Sequence, residues 1–299
     1  MTDTTAHKTA SLRIWLLAAR PKTLPASLVP ALAGGAIACA ERVFHLWSFL
    51  AAVFGAVMIQ IGANYANDLF DYLKRTDTTE RIGPTRATQA GLVTPRQMAF
   101  ATAIVFSLAT LAGVYLVYRG GWPIVIIGLS SIACGILYTA GPMALGYIGL
   151  ADLFVLVFFG PVALAGTYYV QALTVTRPII IAGFAFGMIS VAILTVNNLR
   201  DIETDRKGGK NSLPVRFGPK FARIEYVIML LGAAAVALVL AATERKPFLL
   251  LTFLYLPLAI APVKAVFTKT DGETLNNTLA VTGRLLLAYG ILFSVGWAL

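Results

Sequence analysis

Charge is scarce in this chain, and so are the side chains that most often run enzyme chemistry. Charged residues are 13% of the 299 positions, against about a quarter in soluble globular proteins, which excludes a water-soluble domain with an ordinary polar surface. There are two cysteines and two histidines. Cys39 and Cys134 lie in separate apolar runs, the usual setting of small buried thiols, so neither a disulfide framework nor a thiolate metal site is expected. His7 belongs to a polar tail and His45 to a short connection; no histidine-centred catalyst is expected. Residues 1–22 carry no apolar core ahead of a small-residue cleavage site, so no removable signal peptide is expected. Nothing in the charge pattern calls for nucleic acid.

Apolar sequence is what the chain has in abundance. Hydrophobic residues make up 58% of it, with a mean hydropathy of +0.78. Runs near or above the ~17 to 25 residues of a membrane span occur at about Leu24 to Ala40, Leu46 to Ala66, Met98 to Tyr118, Trp122 to Ala140, Ile148 to Val170, Pro178 to Asn198, Ile224 to Ala242, Phe248 to Phe267 and Leu279 to Ala298. The expected fold is therefore all-α: a polytopic membrane protein of about nine transmembrane helices, the first and fourth short or broken by Pro25, Pro30 and Pro123. One membrane-embedded domain is expected over residues 1–299. Its segment 1–22 and its loops 67–97 and 199–223 are placed on the cytoplasmic side, because lysine and arginine concentrate on that side of a membrane protein. With the N-terminus inside, the outer connections hold only Arg42, Arg119, Arg177, Arg245 and Lys246. The expected location is the cell (inner or plasma) membrane, with the active site opening to the cytoplasm.

Two polar segments stand out against this background. Asn67-Asp68-Leu69-Phe70-Asp71 runs on to Asp77, and Asn197-Asn198-Leu199-Arg200-Asp201 runs on to Asp205. Each pairs an Asn with an Asp four residues on, a spacing that puts both on one helix face, and each follows an apolar span. Seven of the fourteen acids sit here (Asp68, Asp71, Asp77, Glu80, Asp201, Glu203, Asp205), interleaved with Lys and Arg. Oxygen-rich stripes at two helix ends read as halves of one Mg²⁺ site for an anionic ligand. The long basic, Gly-bearing loop after each stripe reads as a partly helical cap, since long loops in compact proteins are usually functional. A carboxylate-based ion transporter is the rival class, although its sites usually lie near the bilayer midplane on broken helices.

These residues resemble the paired Asp-rich motifs of the UbiA superfamily of intramembrane aromatic prenyltransferases, and most closely its 1,4-dihydroxy-2-naphthoate branch. The resemblance rests on Arg20-Pro21-Lys22-Thr23-Leu24-Pro25, Gly83-Pro84-Thr85-Arg86 with Gln89 and Gly91, Tyr138-Thr139-Ala140-Gly141-Pro142 with Leu145-Gly146-Tyr147, and Phe159-Gly160-Pro161 with Gly166-Thr167-Tyr168-Tyr169. It is completed by Asn197 to Asp201 through Asp205-Arg206, Gly209-Lys210 and Val215-Arg216. Two positions depart from the superfamily pattern. The residue four after Asp71 is Arg75, which moves that metal role to Asp77, and the residue four after Tyr138 is Pro142 where the pattern has Lys.

The resemblance implies Mg²⁺-dependent transfer of a polyprenyl group from a polyprenyl diphosphate to 1,4-dihydroxy-2-naphthoate with loss of CO₂, in menaquinone or phylloquinone synthesis. Another aromatic acceptor, 4-hydroxybenzoate or homogentisate, is the alternative. Carboxylates and amide carbonyls are the hard donors Mg²⁺ takes, so Asn67, Asp71, Asp77, Asn197, Asp201 and Asp205 are the expected ligands, with Asp71, Asp201 and Asp205 the catalytic carboxylates. Asp68, about 100° round the helix from Asn67, is expected to support the ligands from behind or to serve as an alternate ligand. Lys74, Arg81, Arg86, Arg206 and Lys210 are expected to hold diphosphate oxygens. Arg20, Lys22, Tyr138, Asp152 and Tyr168 are expected around the acceptor and the allylic cation; Asp152, an acid inside a span, is a functional candidate by its cost alone.

Overall fold

The computed structural model describes residues 12–74, 83, 85–141 and 144–299, and every regular element among them is helical. A short helix over 12–19 and a 3₁₀ turn, Pro21–Thr23, lead into α1 (Pro25–Ala40). Then follow α2 (Leu46–Leu73), α3 (Pro95–Gly120), α4 (Trp122–Leu137), α5 (Ala151–Ala172), α6 (Arg177–Arg200) and the short α7 (Ile202–Lys207). The chain ends in α8 (Leu213–Thr243), α9 (Pro247–Thr268) and α10 (Gly272–Ala298). Seven helices (α2, α3, α5, α6, α8, α9, α10) are long and apolar enough to cross a membrane, and an eighth span results if 12–23 and α1, bent by 63°, count as one. At 16 residues, α4 falls short of the ~20 a perpendicular crossing needs. The expected nine spans thus resolve into seven long helices, one bent pair and one short apolar helix. The chain is a multi-pass membrane protein.

Local sequence sets the helix ends and breaks. Thr94 opens α3 with a capping box: its hydroxyl accepts from the Gln97 N–H at 3.2 Å while the Gln97 side chain accepts from the Thr94 N–H at 2.8 Å, and Pro95 sits at the first position where no N–H is needed. Helix α5 breaks at Gly160 (φ −113°, ψ −108°) ahead of Pro161, which cannot donate to the turn before it. That break lets α5 ride on α6 backbone to backbone. A Cβ on Gly183 would strike Pro161, and one on Gly187 would strike the Leu156 carbonyl, the close approach that small residues permit between membrane helices.

Helix α6 is the centre of the bundle, packed by α1, α5, α8 and α10; 72% of its most apolar window is buried, against 17% for α3, which faces lipid on most of its surface. Helices α2, α3 and α4 form a second group. Between the groups lies a cavity of about 500 Å³. Its lining on α2 runs from Asn67 to Ala52 and on α4 from Tyr138 to Ile124, a rise of about 21 Å at ~1.5 Å per residue.

Candidate active site

The last two turns of α2 place Asn67 and Asp71 on one face. The Asn67 carbonyl accepts from Arg20 Nη2 at 2.6 Å, and its amide donates to Thr139 Oγ1 at 2.7 Å. Asp71 is 0% exposed and collects side chains from three separate loops. Its Oδ1 accepts from the Tyr147 hydroxyl at 2.7 Å, and its Oδ2 from Arg86 Nη2 at 2.8 Å and Lys210 Nζ at 3.1 Å. Lys210 Nζ also stands 3.9 Å from Asp205 Oδ1. The two polar segments, more than a hundred residues apart in sequence, therefore meet across one ammonium.

The second segment is organised by Arg200, the last residue of α6. Its guanidinium donates to both oxygens of the neighbouring Asp201 (Nε to Oδ1, 2.7 Å), to the Asn197 carbonyl at 2.9 Å and to the Asn276 carbonyl on α10. This fork geometry suits arginine. One further turn, α7, carries Asp205 back towards Asp71, its N–H bonded to the Asp201 carbonyl at 2.7 Å. Lys74 Nζ lies 4.3 Å from the Tyr147 ring centroid and Lys210 Nζ 5.2 Å from it, within cation–π range, and Lys74 also donates to the Gly141 carbonyl at 2.8 Å. Burial lowers the Lys74 ammonium below its ordinary pKa; Asp71 opposes that shift and Lys210 adds to it.

Arg20, Asn67, Asn197 and Tyr138 line the polar end of the cavity, and the rest of its wall is mostly apolar, with scattered Ser, Thr, Gln and Asn side chains. The site can therefore hold an anionic head among cations while an apolar tail runs between the helices. Its oxygen donors are hard ones, and Asp71 with Asp205 already flanks a positive charge, that of Lys210, so the donor set fits a small divalent cation. Among the described residues no three His, Cys, Asp or Glu side chains form a complete metal shell; Asp77 lies outside the described residues.

Comparison with known proteins matches residues 27–298 to the model of the UbiA prenyltransferase family. The chain belongs to that family. A 1,4-dihydroxy-2-naphthoate octaprenyltransferase of Mycobacterium tuberculosis is 36% identical over 282 residues, covering 94% of this chain and 96% of the relative. One of Escherichia coli K12 is 35% identical over 299 residues, covering 98% and 97%. The same fold occurs in the solved apo structure of a UbiA homolog from Aeropyrum pernix K1 (18% identity, TM-score 0.65, covering 92% of this chain and 97% of that one). It occurs again in a UbiA homolog from Archaeoglobus fulgidus bound to DMAPP and Mg²⁺ (16% identity, TM-score 0.61, 94% and 99%). The protein is an aromatic prenyltransferase.

In this prenyltransferase the expected site residues divide into three groups. Asn67, Asp71, Arg86, Asp205 and Lys210 converge, with Lys74 beside them and Arg20, Asn197 and Tyr138 at the cavity. Asp77 and Arg81 fall outside the described residues. The remaining residues make their hydrogen bonds, where they have any, outside the Asp71 cluster. Asp68 accepts from the Ala87 and Thr88 N–H groups at 2.9 and 3.0 Å, anchoring the 85–90 loop with the carboxylate that was expected as an alternate ligand. Asp201 is held by Arg200 instead of facing Lys210. Arg206 pairs with Glu203 at 3.1 Å on an exposed surface one helical turn away, and Lys22 is exposed while Arg20 turns inward. Asp152 is buried in the first turn of α5, where the helix dipole favours an acid, and its carboxylate oxygens find no hydrogen-bond partner among the described residues. Tyr168 corrects the expectation most clearly: α5 carries it to the far end of the bundle, where its hydroxyl bonds Glu41 and Glu41 accepts from the Trp297 indole at 3.2 Å.

The organising roles of Arg200, Asn276 and Thr139 escaped sequence reading. Arg200 carried a usable signal, since it stands three residues after Asn197, a spacing that puts the two side chains on one helix face. Asn276 carried none, because only the packing of α10 on α6 brings it to the site.

Proposed function

We propose that this prenyltransferase transfers a polyprenyl group from a polyprenyl diphosphate to 1,4-dihydroxy-2-naphthoate, with release of diphosphate and CO₂, in menaquinone or phylloquinone synthesis, and that it works with Mg²⁺. The observation that carries the reading is the meeting of Asp71 and Asp205 across Lys210 at the mouth of a long apolar cavity. The curated relatives named for this reaction support the choice of acceptor.

Asn67, Asp71, Asn197 and Asp205 would hold the metal, with Asp77 completing the set; when bound, Mg²⁺ neutralises the diphosphate leaving group. Lys210, Lys74 and Arg86 supply donors to the same oxygens. They are fixed before the substrate arrives, which is what makes such donors effective as charge develops. The apolar wall excludes the water that would quench an allylic cation. Arg20 is the residue for the acceptor carboxylate: it lines the cavity beside Asn67. Attack by the ring carbon bearing the carboxylate forms the new C–C bond, and the C–COO⁻ electron pair returns to the ring as CO₂ leaves. The orientation proposed puts this site on the cytoplasmic side.

The test is turnover of carboxyl-labelled 1,4-dihydroxy-2-naphthoate with a prenyl diphosphate by the purified protein in lipid nanodiscs. Labelled CO₂ equal to prenylated product, abolished by EDTA and restored by Mg²⁺, is expected. Efficient prenylation of 4-hydroxybenzoate with its carboxylate retained would overturn the acceptor assignment.

A further inference from the structure

A glutamine on the cavity wall is left unused by the chemistry at the polar end. Gln60 lies on α2 two turns before Asn67; a spacing of seven puts both on one helix face, about 10.5 Å apart along the axis at ~1.5 Å per residue. Both line the cavity. Gln60 is 9% exposed, and its amide makes no hydrogen bond among the described residues. Its neighbours on that face, Ala56 and Ala63, line the cavity as well, so no bulky side chain of α2 lies over the amide. Other polar groups of the wall are committed: Asn64 donates to the Ala19 carbonyl at 2.9 Å, and the hydroxyls of Ser27 and Thr167 each donate to a backbone carbonyl three or four residues back along the chain. A primary amide facing an apolar enclosure gives up water and needs a replacement partner. A prenyl tail has no polar atom to offer. The aromatic acceptor has.

We propose that Gln60 binds the 4-hydroxyl of 1,4-dihydroxy-2-naphthoate, making it a specificity-determining residue for the acceptor. The inference rests on the reading of the acceptor above, with its carboxylate at Arg20. Arg20 marks the upper end of the acceptor, since its guanidinium bonds Asn67 at 2.6 Å. On the acceptor ring the 4-hydroxyl is meta to the carboxylate. With bonds of about 1.4 Å the oxygens of the two groups lie about 5–6 Å apart, and a hydrogen bond of about 2.8 Å at each end extends the reach to about 11 Å. That matches the rise from Asn67 to Gln60. The carboxylate and the hydroxyl thus meet a cation at one level and a neutral amide at the other, and the ring carbon bearing the carboxylate stays at the diphosphate end. An amide offers both an acceptor oxygen for the hydroxyl proton and a donor for the hydroxyl oxygen. A site built to bond a substrate hydroxyl rejects an analogue that lacks it, because the buried amide is then left unpaired.

The experiment compares 1,4-dihydroxy-2-naphthoate with 1-hydroxy-2-naphthoate, which lacks only the 4-hydroxyl, in wild-type protein and in Gln60→Met, all in nanodiscs. Methionine is close to glutamine in length and in helix preference, so the amide is what is removed; size-exclusion profile and melting temperature check the fold. Each acceptor is followed as a substrate, and the analogue also as a competitive inhibitor. Expected in wild type is a kcat/KM at least about tenfold higher for the dihydroxy acceptor. Expected in Gln60→Met is a fall of at least about tenfold for the dihydroxy acceptor, with kcat/KM and inhibition constant of the analogue within about twofold of wild type. The lower intrinsic reactivity of the analogue is common to both proteins and divides out. A purely structural glutamine would lower both acceptors together, and that result, or no change for either, overturns the proposal. Wild-type protein that uses the two naphthoates equally overturns it whatever the variant does. Wild-type protein that prenylates 4-hydroxybenzoate and neither naphthoate refutes the acceptor reading itself, a distinct result.

Discussion

Replacing Asp71 by asparagine removes one negative charge and almost nothing of the side chain's size. The amide can turn its oxygen to Arg86 and Lys210 and its nitrogen to the Tyr147 hydroxyl, so the geometry survives and the charge is what disappears. The Arg86 and Lys210 side chains are 4% and 15% exposed and the Asp71 side chain 0%, so solvent screens little of the interaction. Neutralising one partner of a buried ion pair costs about 3–5 kcal/mol. The partly exposed Lys210 argues for the lower figure. If that loss is expressed at the transition state, about 3 kcal/mol corresponds to a fall in turnover of roughly 150-fold, at ~1.4 kcal/mol per decade, and weaker metal binding adds to it. Asp71→Asn should therefore retain under one hundredth of wild-type turnover at saturating Mg²⁺, read as prenylated naphthoquinol and CO₂ from protein that is monodisperse and melts cooperatively. A folded Asp71→Asn variant with more than a tenth of wild-type turnover would refute the placement of this carboxylate at the centre of the site.

Three further outcomes separate neighbouring residues by role. Asp68→Asn can accept from only one of the Ala87 and Thr88 N–H groups, an orphaned buried donor costing about 1–3 kcal/mol; faster hydrogen exchange at these two amides is expected, with a smaller turnover loss than in Asp71→Asn, and equal loss would place Asp68 in the cation site. Tyr168→Phe should leave KM for the aromatic acceptor within about twofold and lower the melting temperature by a few degrees; a tenfold rise in KM would put the tyrosine back in the pocket. With Cys39 and Cys134 replaced by alanine, Gly208→Cys should react with an impermeant thiol reagent only from the cytoplasmic side and Arg119→Cys only from the other, as the distribution of basic residues requires; labelling of both from one side would refute the orientation.

The apolar runs and their length determined, without any structure, that the chain is helical and crosses a membrane repeatedly. The backbone of such a chain has no polar partner in lipid other than itself. The Asn-to-Asp spacing of four likewise determined that Asn67 and Asp71 share a face, because that follows from helical pitch. Pitch says nothing about the partner across the bundle. Tertiary structure decided that Asp71 meets Lys210 and Asp205 while Asp201, at the same spacing from Asn197, is taken by Arg200. It decided too that Asp68 anchors a loop, and that Tyr168, some sixteen residues along α5 from Asp152, ends at the opposite side of the bundle. The free space beside Gly113 and Gly128 is of the same kind. Glycine in a membrane helix reads equally as a packing contact or as a gap, as it is against α5 at Gly183 and beside the cavity at Gly128. Which of the two it is depends on how far the next helix stands away, a distance set by every other contact in the bundle.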